Sequence, residues 1–234
     1  MRIFQKGFNY SQDGPGNRLV YHLQGCNFRC KWCSNPESMK ESSDLCSEYS
    51  VDGLADEISR SRMMFFDGGG VTFTGGECTL QYEELVPLLK KLRAMGIHTA
   101  IETNGSSPHL PEIAENVDYL IMDFKHFDSA SHKKWIGVGN EKVKENLEHI
   151  FALGRQVHIR IPLINGVNDE PDGFVDYFRR FDTSNAVFEF LPYHEYGKDK
   201  WTETYEITDG FVSEETVNNF NKKFEQAHLK TVRT

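Results

Sequence analysis

Long hydrophobic runs are missing from this sequence. No apolar stretch among the 234 residues approaches the length of about 20 residues that spans a bilayer, and residues 1–6 lack the apolar core of a secretory signal. Positive charge is also scarce, because 26 lysines and arginines face 35 aspartates and glutamates, for a net charge of −9. We therefore expect a cytoplasmic protein that binds neither membranes nor nucleic acid, since phosphate backbones are bound by basic surfaces.

Cysteine is odd in number, which argues against a disulfide framework in a cytosolic chain. The sequence has five cysteines. Three of them, Cys26, Cys30 and Cys33, fall within eight residues, and this crowding indicates metal ligation. The remaining two, Cys46 and Cys78, are interpreted as packed or free thiols.

Short runs of β-forming residues alternate with segments of helical periodicity. The predicted strands are 18–24, 71–74, 99–102, 119–123, 158–162 and 187–191. The predicted helices are 51–65, 81–95, 112–116, 129–135, 141–153, 173–181 and 213–226. This alternation predicts one α/β domain over residues 1–234 with parallel strands, as a doubly wound sheet or an open barrel. In either architecture the chemistry belongs at the carboxyl ends of the strands.

The cysteine loop, residues 26–33, follows the first predicted strand. Its spacing is C-x3-C-x2-C, so three thiolates can hold three corners of a 4Fe–4S cube. With three protein ligands, one iron keeps an open position, and Trp32 can cover the cluster with an apolar ring. The competing interpretation is a zinc site completed by a histidine such as His22, but structural zinc sites usually draw on a second separated pair of ligands, and none is visible.

The spacing of these three cysteines resembles the signature of the radical S-adenosylmethionine superfamily. Further motifs extend the resemblance from about Phe8 to Trp201 and narrow it to the activating enzymes of glycyl radical enzymes. These motifs are Asp-Gly-Pro-Gly-Asn-Arg at 13–18, Gly-Gly-Gly-Val-Thr at 68–72, Gly-Gly-Glu at 75–77, Glu-Thr-Asn-Gly at 102–105, Asp-Phe-Lys at 123–125 and Leu-Pro-Tyr-His-Glu at 191–195.

The resemblance implies a partial (β/α)6 TIM-type barrel, one 4Fe–4S cluster and S-adenosylmethionine as cofactor. A flavodoxin or ferredoxin would reduce the cluster, the cofactor would be cleaved to a 5′-deoxyadenosyl radical, and this radical would take a hydrogen atom from a glycine of a partner glycyl radical enzyme. Such chemistry implies an anaerobic setting. The segment 40–50 is short and holds one cysteine, so we expect a single cluster and no ferredoxin-like insert.

The resemblance also assigns candidate cofactor contacts. They are Trp32, Gly75, Gly76, Glu77, Glu102, Thr103, Asn104, Asp123, Lys125, Arg160 and His194. The segment 75–77 would bind the ammonium of the methionine part, Arg160 its carboxylate, and His194 the ribose or adenine. The residues alone allow other interpretations, namely a tight turn at 75–77, an ion pair between Asp123 and Lys125, and an outward-facing Arg160. A monovalent cation could bind near Glu102, although aspartate is the usual residue there.

Residues 13–16 form a turn by composition. The resemblance implies that Asp13, Gly14, Pro15, Gly16 and Arg18 meet the glycine-bearing segment of the partner. The loop is not a phosphate loop, because no Gly-Lys-Ser/Thr follows it.

Two other functions stay open from the sequence alone. One is a radical S-adenosylmethionine enzyme that acts on a small molecule, such as a deazapurine synthase. The other is a zinc-stapled interaction module without catalytic activity. The loop at 13–16 together with the motif at 191–194 favours the activating enzyme.

Overall fold

Strands and helices alternate through residues 1–233, which the computed structural model describes. These residues form two units. Unit 1 consists of Met1–Asn27, Glu37–Thr103 and Ser107–Ile121, and unit 2 of Phe28–Pro36, Asn104–Ser106 and the described chain from Met122 onward.

Unit 1 contains five whole strands and three α-helices. In chain order they are β1 (Arg2–Tyr10), β2 (Asn17–Leu23), β3 (Ser47–Glu48), α1 (Val51–Arg60), β4 (Gly70–Gly75), α2 (Tyr82–Ala94), β5 (Thr99–Thr103) and α3 (Leu110–Asn116). The strand order is β3-β1-β2-β4-β5. β2 pairs in parallel with β4, and β4 with β5, whereas β1 joins as an antiparallel neighbour of β2.

A strand at the division, β6 (Tyr119–Asp123), begins in unit 1 and ends in unit 2. Unit 2 continues with α4 (Ser129–Ile136), α5 (Glu141–Ala152), β7 (Val157–Leu163), α6 (Asp172–Phe178), β8 (Ala186–Pro192), α7 (Glu214–Gln226) and β9 (Thr231–Val232). β7, β8 and β9 are parallel neighbours. Phe124 N donates to Arg160 O at 2.8 Å, which places the end of β6 beside β7.

Short polar side chains fix where three of the helices begin. Ser50, Asp128 and Ser213 each accept a hydrogen bond from a backbone N–H in the first turn of α1, α4 and α7. Each cap satisfies a donor that has no partner inside the helix, and a cap of this kind contributes about 1 kcal/mol. α4 ends at Gly137, whose φ of 94° is left-handed and suits glycine.

The two units have differently composed cores. α2 buries four leucines completely in unit 1, Leu85, Leu88, Leu89 and Leu92. Unit 2 buries an aromatic cluster that combines the residue after β6 with residues of α6, β8 and α7, namely Phe124, Phe174, Phe178, Phe188, Phe220 and Phe224. Each fully buried phenylalanine contributes about 1.5–3 kcal/mol relative to an exposed one, so both cores can hold the strand ends in place.

The structure contains all six predicted strands, with shifts of at most one residue at their ends. The prediction of a helix over 51–65 is wrong beyond Arg60, because the chain turns at Ser61 and continues as a 3₁₀ turn at Arg62–Met64. Four apolar residues in a row at 63–66 do not have helical spacing, and Met63 is 93% exposed. The sequence reading also missed β1, β3 and β9.

Candidate functional site

The cysteine loop begins directly after β2. Cys26 belongs to unit 1, and Cys30 and Cys33 belong to unit 2. None of the five cysteines, all within residues 1–233, forms a disulfide, and of the three in this loop Cys30 is buried while Cys26 and Cys33 are half-buried. Three thiols without disulfide partners within one short loop fit the three ligands that the sequence predicts.

The carboxyl end of α4 holds the middle of the loop. Arg29 N donates to Ile136 O at 2.8 Å, and Lys31 N donates to Trp135 O at 3.1 Å. The last carbonyl groups of a helix have no partner inside the helix, so they are available to these two amides. The residues on both sides of Cys30 are thereby tied to a helix end.

A segment after β8 holds the end of the loop. Trp201 Nε1 donates to Cys33 O at 3.0 Å. Gly197 packs directly on Ser34, since a Cβ on this glycine would lie 2.4 Å from Ser34 Cα. The sulfur of the last cysteine, Cys33 Sγ, accepts a hydrogen bond from Asn35 N at 3.4 Å. A backbone N–H directed at sulfur stabilises a thiolate, as a ligand of iron requires.

A half-buried ion pair lies within electrostatic range of two of the thiols. Lys125 Nζ is 2.6 Å from Asp123 Oδ2. Burial by itself would lower the pKa of Lys125, but Asp123 and the thiols of Cys30 and Cys33 raise it above the ordinary value. The ammonium is therefore a fixed positive charge near Cys30 and Cys33, which suits an anionic cluster.

The donor set fits a 4Fe–4S cluster rather than one metal ion. Among residues 1–233, no group of three or more His, Cys, Asp or Glu side chains is arranged to hold a single ion. Three cysteines of a cubane bind three different irons, so they need not converge on one point. The cation predicted near Glu102 stays a prediction.

The glycines after β4 allow close backbone contact with the start of the cysteine loop. A Cβ on Gly75 would lie 2.3 Å from Leu23 N, and one on Gly76 would lie 2.2 Å from Gly25 O. Glu77 N donates to Gly25 O at 2.8 Å. The sequence analysis predicts that these glycines let a ligand approach the backbone closely. The structure gives them a further reason, because any side chain here would displace the residue that precedes Cys26.

Glu77 is fully buried and joins two strand ends within unit 1. Its Oε1 accepts from Thr103 Oγ1 at 2.6 Å and from Thr79 N at 3.1 Å. Glu102 is half-buried, and its Oε2 accepts from Thr74 Oγ1 at 3.1 Å. The structure therefore brings together three predicted site residues, Glu77, Thr103 and Glu102, at neighbouring strand ends. Sequence reasoning missed Thr79, which only the fold places against Glu77.

The neighbouring candidate Asn104 is buried and makes local contacts. Its Oδ1 accepts from Ser106 N at 3.0 Å and from Ser106 Oγ at 2.7 Å. These bonds shape the turn after β5. Cys78, outside the cysteine loop, is buried with its Sγ 3.5 Å from Glu102 O, and burial, Glu77 and Glu102 raise the pKa of its thiol well above the ordinary value.

Arg160 on β7 is buried, so it is not the outward-facing arginine that alternation allowed. Its Nε donates to Glu189 Oε2 at 2.8 Å. His158 Nε2 also lies 3.0 Å from that oxygen, although off the line of a hydrogen bond. The sequence reading missed Glu189. Its signal is a single acid in the apolar run 187–191, directly opposite Arg160 in the β7–β8 register.

His194 ends up half-buried just after β8. Its ring stacks on Tyr196 with the centroids 4.3 Å apart, and its Nδ1 accepts from Tyr196 N at 3.4 Å. Burial lowers the pKa of His194. A neutral imidazole at neutral pH can both donate and accept hydrogen bonds, as recognition of a ribose or an adenine requires.

The loop at residues 13–16 is supported from beneath by Arg18. Arg18 is fully buried, and its Nη1 donates to Pro15 O at 3.1 Å. Thr72 Oγ1 donates to Asp13 O at 2.7 Å, and Asn9 Nδ2 donates to Asp13 Oδ2. Gly14 and Gly16 have φ values of 116° and 67°, which are left-handed. The structure thus gives Arg18 a supporting role, and contact of these five residues with a partner stays a prediction.

Comparisons with known proteins agree with the resemblance that the sequence motifs indicate. A family model described as the radical SAM superfamily matches residues 20–178. The pyruvate formate-lyase-activating enzyme of Staphylococcus epidermidis is 34% identical over 200 residues, which cover 81% of this chain and 79% of the relative. The 4-hydroxyphenylacetate decarboxylase activating enzyme of Clostridioides difficile is 31% identical and covers 84% of each chain.

Solved structures agree with the fold. A domain of pyruvate-formate lyase-activating enzyme from Bacteroides vulgatus is 29% identical, with a TM-score of 0.60, over 71% of this chain and 99% of that chain. A radical SAM methyltransferase from Sphaerobacter thermophilus has a TM-score of 0.67 at 16% identity over 98% of this chain and 72% of that chain, which is a likeness of fold alone. Together with the parallel strands, these structures confirm the α/β fold expected from the sequence.

Proposed function

Because the chain belongs to the radical SAM superfamily and, within it, to the activating enzymes of glycyl radical enzymes, we propose that it generates a glycyl radical on a partner protein. The chain is an oxidoreductase that uses a 4Fe–4S cluster and S-adenosylmethionine. Its proposed substrate is a glycine residue in a glycyl radical enzyme.

One observation carries this proposal. The chain is more than 30% identical, over most of both lengths, to activating enzymes of two different targets, pyruvate formate-lyase and 4-hydroxyphenylacetate decarboxylase. What these relatives share by name is the activation of another enzyme, and this shared activity is what we transfer. The identity of the partner enzyme does not follow from it.

The residues that would hold the cluster are Cys26, Cys30 and Cys33. When bound, the cluster and S-adenosylmethionine supply a 5′-deoxyadenosyl radical that removes a hydrogen atom from a glycine Cα. The end of α4 and Trp201 hold the cysteine loop by backbone hydrogen bonds. This attachment limits movement of the thiols and keeps a reactive centre in a fixed position.

The remaining candidates would bind S-adenosylmethionine. Lys125 is a half-buried cation near two of the cysteines, and Arg160 is a buried one, already paired with Glu189. A cofactor with a carboxylate and an ammonium needs both signs of charge around it, and Glu77, Asp123 and Glu189 provide the negative ones. We propose that Trp32, residues 75–77 and 102–104, and His194 complete this set of contacts.

A single radical SAM domain without a ferredoxin-like insert is part of the proposal. Residues 40–50 contain one cysteine, Cys46. The alignment with the 4-hydroxyphenylacetate decarboxylase activating enzyme runs over 266 positions but takes in only 84% of the 234 residues here, so the relative carries chain that has no counterpart in this protein. Both facts support one cluster.

A one-electron donor, a flavodoxin or a ferredoxin, and a cytoplasmic location complete the proposal. Within residues 1–233, none of the helices has the length and apolar character to cross a bilayer. An exposed carbon radical reacts with oxygen, so the enzyme is expected to work only under anaerobic conditions.

Anaerobic reconstitution with iron and sulfide tests the cofactor part of the proposal. The wild-type protein is expected to bind about four irons, to show the broad visible absorption of a 4Fe–4S cluster, and to cleave S-adenosylmethionine to 5′-deoxyadenosine when dithionite is added. Cys30→Ala should lose the cluster and the cleavage. Cys46→Ser, a cysteine outside the loop, is the matched control and should keep both.

The substrate part needs a second measurement. Reduced enzyme and S-adenosylmethionine are mixed with a glycyl radical enzyme encoded near this chain, and the glycyl radical is recorded by electron paramagnetic resonance. Cofactor cleavage with no glycyl radical on any candidate would contradict the activation of a protein. Turnover of a pterin-like molecule would then favour a small-molecule enzyme, and one zinc without iron or sulfide would favour the interaction module.

A further inference from the structure

We propose that a cationic patch on unit 2 is the docking site for the acidic redox protein that reduces the cluster. The patch consists of Arg29, Lys31, Lys133 and Lys134 arranged around Trp135. The proposal rests on the proposed function, because only an enzyme with a reducible cluster needs such a partner. It adds the location of electron entry and the charge of the partner.

Two lysines of the patch share one aromatic ring. Lys134 Nζ lies 4.7 Å from the centre of the Trp135 ring, and Lys31 Nζ lies 5.4 Å from it. A cation over an indole face is attracted by about 0.5–1 kcal/mol at an exposed site. Trp135 therefore gathers a lysine of the cysteine loop and a lysine of α4 into one surface.

The other two cations lie at the same helix end. Arg29 is exposed, and its Cβ is near Gly137, the residue that ends α4. Lys133 is exposed in the last turn of α4, and its carbonyl accepts from Gly137 N at 3.0 Å. Two cationic side chains are thus gathered by one aromatic ring, and the other two belong to residues at the same end of α4.

The charge of this surface contrasts with that of the whole chain, which has a net charge of −9. Glu206 contacts the patch and forms an ion pair with Lys31. The acids Asp128 and Glu141 belong to the opposite end of α4, where Asp128 caps the helix and Glu141 bonds Ser129. A positive surface on an acidic protein favours an acidic partner and disfavours the pairing of this patch with the same patch of a second copy.

The position of the patch, next to a cysteine of the cluster, favours an electron carrier over other acidic partners. Arg29 and Lys31 are the immediate neighbours of Cys30 in the chain, and their amides are the ones that bond α4. A protein that contacts these side chains approaches a ligand of the cluster through the shortest stretch of covalent structure. Electron transfer between proteins falls steeply with distance, so docking at this point would serve reduction directly.

Charge reversal on α4 tests the proposal. Lys133→Glu with Lys134→Glu changes exposed side chains that bond neither the cofactor nor the cysteines. Lys222→Glu with Lys230→Glu makes the same change of charge at exposed positions on α7 and just before β9, and is the matched control. Formation of 5′-deoxyadenosine is followed without any glycyl radical enzyme, once with dithionite and once with reduced flavodoxin as electron source.

With dithionite, both double variants should match the wild type. With flavodoxin at low salt, the α4 variant should be about tenfold slower or worse, since electrostatic steering changes association rates by that order or more. The difference should shrink as salt is added, because the Debye length falls to about 10 Å at 0.1 M. Direct titration with flavodoxin should show the same loss of affinity for the α4 variant alone.

Two results would overturn the docking site. One is equal flavodoxin-driven rates for the α4 variant and its control. The other is normal flavodoxin-driven cleavage combined with a loss of radical transfer to the partner, which would assign the patch to the glycyl radical enzyme instead. Failure of the proposed function would give a different result. Flavodoxin-driven cleavage of S-adenosylmethionine would then show the expected loss in the α4 variant, while no candidate partner enzyme gains a glycyl radical.

Discussion

Two buried arginines, one in each unit, both carry a charge out of water, but the groups that bind them differ. Arg18 on β2 donates from Nε to Thr72 Oγ1 at 2.6 Å and from Nη2 to Val71 O at 2.6 Å. Arg160 on β7 donates from Nε to the Glu189 carboxylate at 2.8 Å. The first guanidinium is bound by neutral oxygens and the second by a full negative charge.

The difference is visible in the electrostatics of Arg18. Burial lowers its pKa to about 10, and Asp13 compensates only in part. Neutral acceptors satisfy its N–H groups but do not cancel its charge, so Arg18 acts as a support for the loop at residues 13–16. A buried arginine in a strand therefore does not by itself indicate an anionic ligand. The charge of Arg160 is balanced by Glu189 within the protein, so the burial of Arg160 does not by itself require an anionic ligand either.

Glu189→Gln is expected to have the largest effect on stability. It keeps the shape of the side chain but leaves Arg160 buried without its carboxylate, which costs about 3–5 kcal/mol. Urea unfolding under anaerobic conditions measures the loss. The double variant Arg160→Met with Glu189→Met should recover most of it, because replacing both partners of a buried pair is often neutral. If the double variant is as unstable as the single one, the pair is not the cause.

The second-largest expected effect is on cofactor binding, in the same double variant of Arg160→Met with Glu189→Met. It removes the guanidinium without leaving a buried charge behind. If Arg160 binds the carboxylate of S-adenosylmethionine, the dissociation constant should rise about tenfold to a hundredfold, since a hydrogen bond to a charged group is worth roughly 1.5–3 kcal/mol. Equilibrium binding to the reconstituted protein measures this. Unchanged affinity would show that the ion pair is only structural.

Arg18→Met should have a smaller effect than Glu189→Gln, about 2 kcal/mol. The variant leaves two backbone carbonyls and one hydroxyl without their donor, but it also removes the cost of a buried charge. Urea unfolding measures the loss, with Lys222→Glu as an exposed control of unchanged stability. A loss equal to that of Glu189→Gln would contradict the distinction between neutral and charged partners.

Some of these features follow from the sequence, and others depend on the register of distant strands. The three cysteine ligands lie within eight residues, so their spacing alone predicts a shared site. Arg160 and Glu189 are 29 positions apart and meet only because β7 and β8 pair in register. Glu77 and Thr103 are likewise 26 positions apart. No local pattern contains such pairings.

The strand β1 shows the same limit for the fold. Its sequence, Arg2–Tyr10, has polar residues on both faces and is exposed at most positions, so neither an apolar run nor clean alternation marks it. It forms because β2 offers an antiparallel partner. The strands β4, β6 and β7 are mostly buried and rich in β-forming residues, and the sequence predicts each of their ends to within one residue.

The smallest expected effect concerns His98, which contacts Arg18. Arg18 Nη1 lies 3.3 Å from His98 Nδ1, and since arginine can only donate, Nδ1 must be unprotonated. Burial first and Arg18 second lower the pKa of His98, while Asp118 raises it. In Arg18→Met the pKa should rise toward the ordinary value but stay below it, because burial remains.

The sign of the pH effect on stability follows from this shift. A histidine whose pKa is lowered by folding takes up its proton more readily in the unfolded chain, so wild-type stability falls as pH drops below about 6.5. Arg18→Met should show a shallower fall over that range, whatever its stability at neutral pH. The pH dependence of the His98 ring resonances, assigned with His98→Gln, gives the pKa directly. An unchanged His98 pKa in Arg18→Met would mean that Arg18 does not act on His98. The charge of Arg18 would then be screened more completely than the neutral partners of Arg18 can explain.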